Sequence, residues 1–109
     1  MGTNCLGPFL FNKFLLPLIQ RTAAAAPASS VRVVWLSSMI SSFTANGGII
    51  FDEETGAPKV LSDPMQNYME SKVGNVFIAK EMANRYGGEG ILSLVRLILK
   101  YHFRVDESN

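Results

Sequence analysis

The chain of 109 residues contains one cysteine and one histidine, Cys5 and His102. A lone cysteine excludes an intrachain disulfide, and this Cys and His form no ligand set at metal spacing. Charge is sparse: 17% of residues are charged, ten basic against nine acidic, for a formal charge of +1. That balance supplies no basic face for a nucleic-acid backbone. The charges are also scattered, apart from Asp52-Glu53-Glu54 in an expected loop. Glycine clusters only at Gly47-Gly48 and Gly87-Gly88-Glu89-Gly90. Neither cluster follows an apolar strand and opens a helix, as a dinucleotide-binding turn requires. Apolar residues, by contrast, are plentiful at 48%, which excludes a disordered chain. The length suits one small domain.

The stretch from Cys5 to Ile19 is almost continuously apolar, and Ala23-Ala24-Ala25-Ala26-Pro27-Ala28 resembles a small-residue cleavage site. A secretory signal nevertheless wants a positive start and an unbroken apolar run. Here no Lys or Arg precedes Lys13, Asn12-Lys13 interrupt the run, and Arg21 follows it. The run is also short of the roughly 20 residues needed to span a bilayer. The segment is therefore expected to be neither a signal nor a span, with the cytoplasm as the default compartment.

Thr3 or Asn4 can cap a helix beginning near Cys5, with Pro8 in its first turn, and Pro17 should kink or end it. Val31–Leu36 is a short β-branched and aromatic run that suits a buried parallel strand. Residues 39–62, with Gly47-Gly48, Gly56 and Pro58, read as a long loop with a short extended piece at Gly48–Phe51. Asp63-Pro64-Met65-Gln66 is a helix start. Met69, Val73, Val76, Ala79, Ala83 and Tyr86 then recur at helical spacing, so a helix over 64–86 with that buried stripe is predicted, ended by Gly87-Gly88 in left-handed geometry. Ile91–Val95 is a second strand candidate, and alternation of Leu99, Tyr101, Phe103 and Val105 extends the pattern.

The chemistry sits in Ser38…Tyr68-Met-Glu-Ser-Lys72. On a helix, Tyr68 and Lys72 share one face a turn apart. A cation beside a phenol favours the phenolate, so the phenol can exchange a proton with an alcohol or carbonyl oxygen. Ser38, closing the run Val31-Arg-Val-Val-Trp-Leu-Ser-Ser, can hydrogen-bond the same oxygen; Ser37, Ser41 and Ser42 are nearby rivals for that role.

These blocks resemble the short-chain dehydrogenase/reductases, closest to their retinol-dehydrogenase-like and fungal branch. The likeness covers roughly residues 3–95 and adds two flanking blocks. Asn4-Cys-Leu-Gly-Pro-Phe-Leu-Phe resembles the family's fourth helix, and Gly90-Ile-Leu-Ser-Leu-Val the entry to its sixth strand. The resemblance implies an α/β fold, a partial Rossmann-like (doubly wound parallel) unit of about two strands and two long helices. It further implies residues 1–95 as a catalytic middle segment without the dinucleotide-binding half, and 96–109 as a divergent tail. By resemblance Tyr68 is the general acid/base, Lys72 tunes it and bonds the nicotinamide ribose, Ser38 orients the carbonyl, and Asn4 joins a water relay to Lys72. Asn75 is left without a catalytic role, and His102 is read as a surface residue.

The implied function is interconversion of an alcohol and a carbonyl with NAD or NADP. The competing expectation is a catalytically inactive piece, or a partner of full-length relatives or of its own copies through the apolar helices. The second draws weight from the missing phosphate-binding turn, since dinucleotide affinity resides largely there.

Overall fold

The computed structural model describes residues 1–44 and 47–98. Two long helices, α1 (Gly7–Ala25) and α2 (Pro64–Tyr86), accompany two parallel strands, β1 (Val31–Ser38) and β2 (Ile91–Ile98). The strands pair in register from Val31↔Ile91 to Ser38↔Ile98, with α2 in the crossover between them. This is a partial Rossmann-like α/β unit. The alternating tail expected beyond β2, with His102, lies outside the described residues.

Burial alternates along β1 with period two, as a strand covered on one face demands. Trp35 and Ser37 are buried on the helix side, and Val31 and Val33 pack against the core there. Val34 and Leu36 are about half exposed on the other face, as is Ile98 of β2. The core joins Ala23 of α1, Trp35 of β1, Ala79 and Met82 of α2, and Ile91 of β2.

Local signals placed α2 well. Asp63 accepts a hydrogen bond from the Met65 N–H at 2.9 Å, and Pro64 stands at the first helical position. Five details depart, wholly or in part, from expectation. Helix α1 continues through Pro17 to Ala25, because Leu16, Ile19 and Ala23 on both sides of the proline pack against the core. Neither Thr3 nor Asn4 caps it; residues Gly2–Leu6 form a π-helical turn, and the Asn4 amide bonds elsewhere. Gly87 is right-handed, the helix tightening into a 3₁₀ turn over Gly87–Glu89, and the left-handed residue is Gly90, φ 82°. The expected stripe on α2 holds in part: Val73 and Ala79 are buried, Tyr86 packs against the core, Met69 and Val76 are half-buried and Ala83 is exposed, while Glu70, Ser71, Gly74, Asn75 and Met82 complete the buried face. Polar and small residues line it because the helix meets backbone groups there, not only apolar side chains. The extended piece expected near Gly48–Phe51 reduces to one bridge, Phe51↔Pro58, and a 3₁₀ turn occupies Met39–Phe43.

Gly74 admits the amino-terminal turn. A Cβ at this position would lie 2.5 Å from the Cys5 Sγ, which is itself 2% exposed. Gly74→Ala should therefore cost about 1–3 kcal/mol in a denaturant titration and make the Cys5 thiol accessible to a disulfide reagent under native conditions. A variant of unchanged stability with a protected thiol would show that the turn has room to yield.

Candidate active site

Tyr68 and Lys72 occupy successive turns of α2 on one face, as their spacing requires. The Lys72 Nζ stands 5.6 Å from the centroid of the Tyr68 ring, within cation–π reach. Tyr68 is 42% exposed, so its ring is open to a reactant, while Lys72 is half-buried.

Ser38 ends β1 and leads into the Met39–Phe43 turn. Its hydroxyl accepts from the Ile40 N–H at 3.4 Å and faces the Ile98 carbonyl at 3.4 Å. Both contacts are long for hydrogen bonds, so the hydroxyl remains weakly engaged. Ser37 is removed from the rivals: it is 1% exposed and donates to the Lys72 carbonyl at 2.7 Å. Ser41 donates back to the Ser38 carbonyl at 2.7 Å.

Asn4 lies in the π-helical turn, a distortion that frequently accompanies function. Its Nδ2 donates to the Ser71 Oγ at 3.0 Å, and that hydroxyl donates to the Tyr68 carbonyl at 2.6 Å. Three of the four sequence candidates are thus brought together at the Tyr68–Lys72 turn. Tyr68 and Lys72 meet directly and Asn4 reaches their turn through Ser71. No described hydrogen bond joins the Ser38 side chain to Tyr68 or Lys72.

Residues not singled out from the sequence do much of the joining. Asn75 is 4% exposed and donates from Nδ2 to the Leu36 carbonyl at 2.7 Å. Asn67 exchanges two hydrogen bonds with the backbone of Leu61, at 2.7 and 2.8 Å. Glu70, 5% exposed, accepts from the Ile50 N–H at 3.4 Å. Gly48, at φ +80°, lies so close to α2 that a Cβ there would meet Val73 at 2.6 Å. The long loop is thereby tied to the helix that carries Tyr68. The parity of Ser37 with buried Trp35 was a legible signal; the loop ties had none.

A groove of about 480 Å³ between α1 and α2 is lined by residues including Phe9, Leu16, Phe77 and Met82. None of Asn4, Ser38, Tyr68 or Lys72 borders it.

A dinucleotide fits these residues only at its reacting end, where Lys72 and Tyr68 offer a cation and a phenol. Its pyrophosphate finds no cradle among the described residues. Gly48 is packed against Val73 and Phe77, and Gly87–Gly90 follow a helix and precede a strand, the reverse of the strand-to-helix order. Among the described residues no cluster of His, Cys, Asp or Glu is placed to hold a metal, and no helix is long and apolar enough to cross a membrane.

Known proteins bear directly on this arrangement. A short-chain dehydrogenase/reductase of Pestalotiopsis fici, iacJ, is 42% identical over 95 residues, covering 86% of this chain and 28% of that protein. A short-chain dehydrogenase/reductase of Phomopsis amygdali is 38% identical over 96 residues, with the same two coverages. Another from Emericella nidulans, pkfC, is 41% identical over 96 residues, covering 86% of this chain and 30% of that protein. No family model matches the chain, and no solved structure matches it significantly. By its relatives the chain belongs to the short-chain dehydrogenase/reductases, a family of oxidoreductases, and it spans less than a third of the length of these proteins.

Burial pushes the Cys5 thiol above its ordinary range, against the opposing pull of the terminal amino group, Lys72 and the Asn75 backbone. The folded state therefore resists the thiolate. Its contribution to stability is present below the unfolded thiol value and is lost as pH rises through the raised folded one. Unfolding free energy should decline above about pH 8.5, and Cys5→Ala should remove that part of the decline in denaturant titrations across pH 7–10. An identical slope in the variant would assign the decline to other groups.

Proposed function

We propose that this chain carries the proton-transfer half of an NAD(P)-dependent oxidoreductase site that interconverts an alcohol and a carbonyl. The observation that carries the reading is the Lys72 Nζ held 5.6 Å from the centre of the exposed Tyr68 ring. In carbonyl reduction Tyr68 gives its phenolic proton to the substrate oxygen, and in alcohol oxidation it takes that proton back. The ammonium of Lys72 stabilises the phenolate left behind and offers donors to the ribose of the nicotinamide end. Ser38 directs its weakly engaged hydroxyl to the same substrate oxygen, and Asn4 supports the turn through Ser71. The cofactor, NAD or NADP, supplies the hydride when bound. Residues 1–95 form the catalytic segment in this reading and 96–109 a divergent tail, although β2 itself runs unbroken across that boundary to Ile98.

The test is a thermal melt followed by Trp35 fluorescence, with and without saturating NADPH or NADH, joined to assays of aldehyde reduction. Trp35 is 4% exposed, so its emission reports loss of the core. An upward shift in Tm with either cofactor means binding to the native state. Tyr68→Phe should then keep the shift while lowering turnover by about 10²–10⁴-fold. A cooperative melt indifferent to both cofactors, with no turnover, defeats the reading for this chain.

A second reading is favoured by one specific feature. Leu10, Phe14 and Leu18 recur every four residues along α1 and are 50%, 75% and 54% exposed. Such a stripe suits association with a second copy or with a full-length relative, in which the chain need not be catalytic. Phe14→Glu should reduce the sedimenting mass of any homo-oligomer to that of the monomer. Unchanged mass would remove α1 from the interface.

A further inference from the structure

Ser37 and Asn75 belong to no step of the proposed reaction, yet both are buried where β1 and α2 cross. Ser37 donates from Oγ to the Lys72 carbonyl at 2.7 Å, strand to helix. Asn75 donates from Nδ2 to the Leu36 carbonyl at 2.7 Å, helix to strand. The strand partners are the two residues immediately before Ser38. The helix partners are Lys72 itself and the residue three beyond it.

We propose that Ser37 and Asn75 are positioning residues, which fix the end of β1, and with it Ser38, relative to the Tyr68–Lys72 turn. The inference rests on the oxidoreductase reading for its catalytic consequence, but not for its geometry. Strand alternation turns Ser37 onto the helix, so the next residue, Ser38, projects from the other side of the strand. Fixing the backbone at both Leu36 and Ser37 therefore leaves Ser38 little freedom in place or direction. The reciprocal pair also opposes sliding, since moving the helix along the strand breaks both bonds together.

Energetics favour a positional role over simple packing. Small apolar residues at these two sites would avoid the desolvation of a hydroxyl and an amide. The Asn75 Oδ1 is moreover buried without a hydrogen-bond partner. Such a cost, carried beside the candidate site, calls for a reason that packing does not provide. The molecule also contains its own control. Ser93 of β2 donates to the Ala79 carbonyl at 2.9 Å, the same hydroxyl-to-helix bond, away from Ser38 and Tyr68 along both elements.

The experiment reads each substitution on the opposite element. In the isotopically labelled full chain, Ser37→Ala should displace the Tyr68 ring and Lys72 side-chain resonances, and Asn75→Ala should displace the Ser38 amide. Ser93→Ala, at a comparable loss of Tm, should leave all three in place. Ser37→Thr, which retains the hydroxyl, should restore the Tyr68 signals, and the milder Ser37→Cys should give an intermediate displacement if the alanine variant unfolds. With benzaldehyde and NADPH or NADH, Ser37→Ala should lower kcat about tenfold while KM stays within about twofold, as expected of a misplaced reacting group. Ser93→Ala should change neither. Cross-element resonances that stay fixed in Ser37→Ala and Asn75→Ala, or that move equally in Ser93→Ala, overturn the proposal. A wild-type chain without turnover whose resonances respond as described defeats the oxidoreductase reading and leaves the positioning intact.

Discussion

Three separate stretches of chain converge on one length of α2, between Asn67 and Asn75, and the rest of the structure depends on that convergence. The amino-terminal turn enters at Gly74, where the missing side chain makes room for Cys5, and Cys5 donates to the Ser71 carbonyl at 2.7 Å. The end of β1 is held at Lys72 and Asn75. The long loop is held at Asn67 and Glu70. Because Tyr68 and Lys72 lie within this same length, whatever fixes the fold fixes their surroundings. A two-stranded sheet has little stability of its own, so docking on the helix is what gives β1 and β2 a defined place.

The joints on this helix are largely polar, yet the usual energetic weighting of a small core still holds. A net hydrogen bond contributes about 0.5–1.5 kcal/mol, and burying one large apolar side chain about 1.5–3 kcal/mol. The apolar cluster around Trp35 and Met82 therefore supplies more of the stability than any single serine. Direction is another matter. Apolar contacts tolerate small slides between helix and sheet, whereas a hydroxyl aimed at one carbonyl does not. Ser37 and Asn75 specify register while the Trp35 cluster supplies cohesion.

How far the sequence could be read follows the range of the interactions involved. Asp63-Pro64, the β-branched run from Val31 and the Tyr68–Lys72 spacing are local signals, and the elements they predict are present with nearly the expected bounds. Pro17 does not end α1, because packing of Leu16 and Ile19 outweighs a local propensity. Asn4 misled as a cap because a partner distant in sequence, Ser71, takes its amide. Gly87 misled because the left-handed conformation was needed three residues later, at the turn into β2. The face of α2 was read only in part, at Val73 and Ala79, for the same reason that Asn75 was left without a role: periodicity counts apolar residues, and this face also holds small and polar ones that meet backbone from other segments. At the candidate site, the shared face of Tyr68 and Lys72 was legible from their spacing, whereas the ties that hold β1 just before Ser38 are made by two residues whose bonds only the folded chain displays.

Separating proton transfer from cofactor binding is physically reasonable for such a unit. Orienting a phenol beside an ammonium needs only one helix with both residues on one face. Holding the end of β1 in place needs a strand tied to that helix. Neither requires a phosphate cradle, which belongs to a strand-to-helix turn of a different βα unit. Hydride transfer does require it, because a nicotinamide not held in place contributes no near-attack geometry. The outer sheet face, with Val34, Leu36 and Ile98 about half exposed, leaves β1 open to contact from that side. Parallel sheets are characteristically covered on both faces, and covering this one would stiffen the same β1 backbone that Ser37 and Asn75 hold from the other side. A contact there would therefore act on Ser38 without touching it, by narrowing the motions left to the end of the strand.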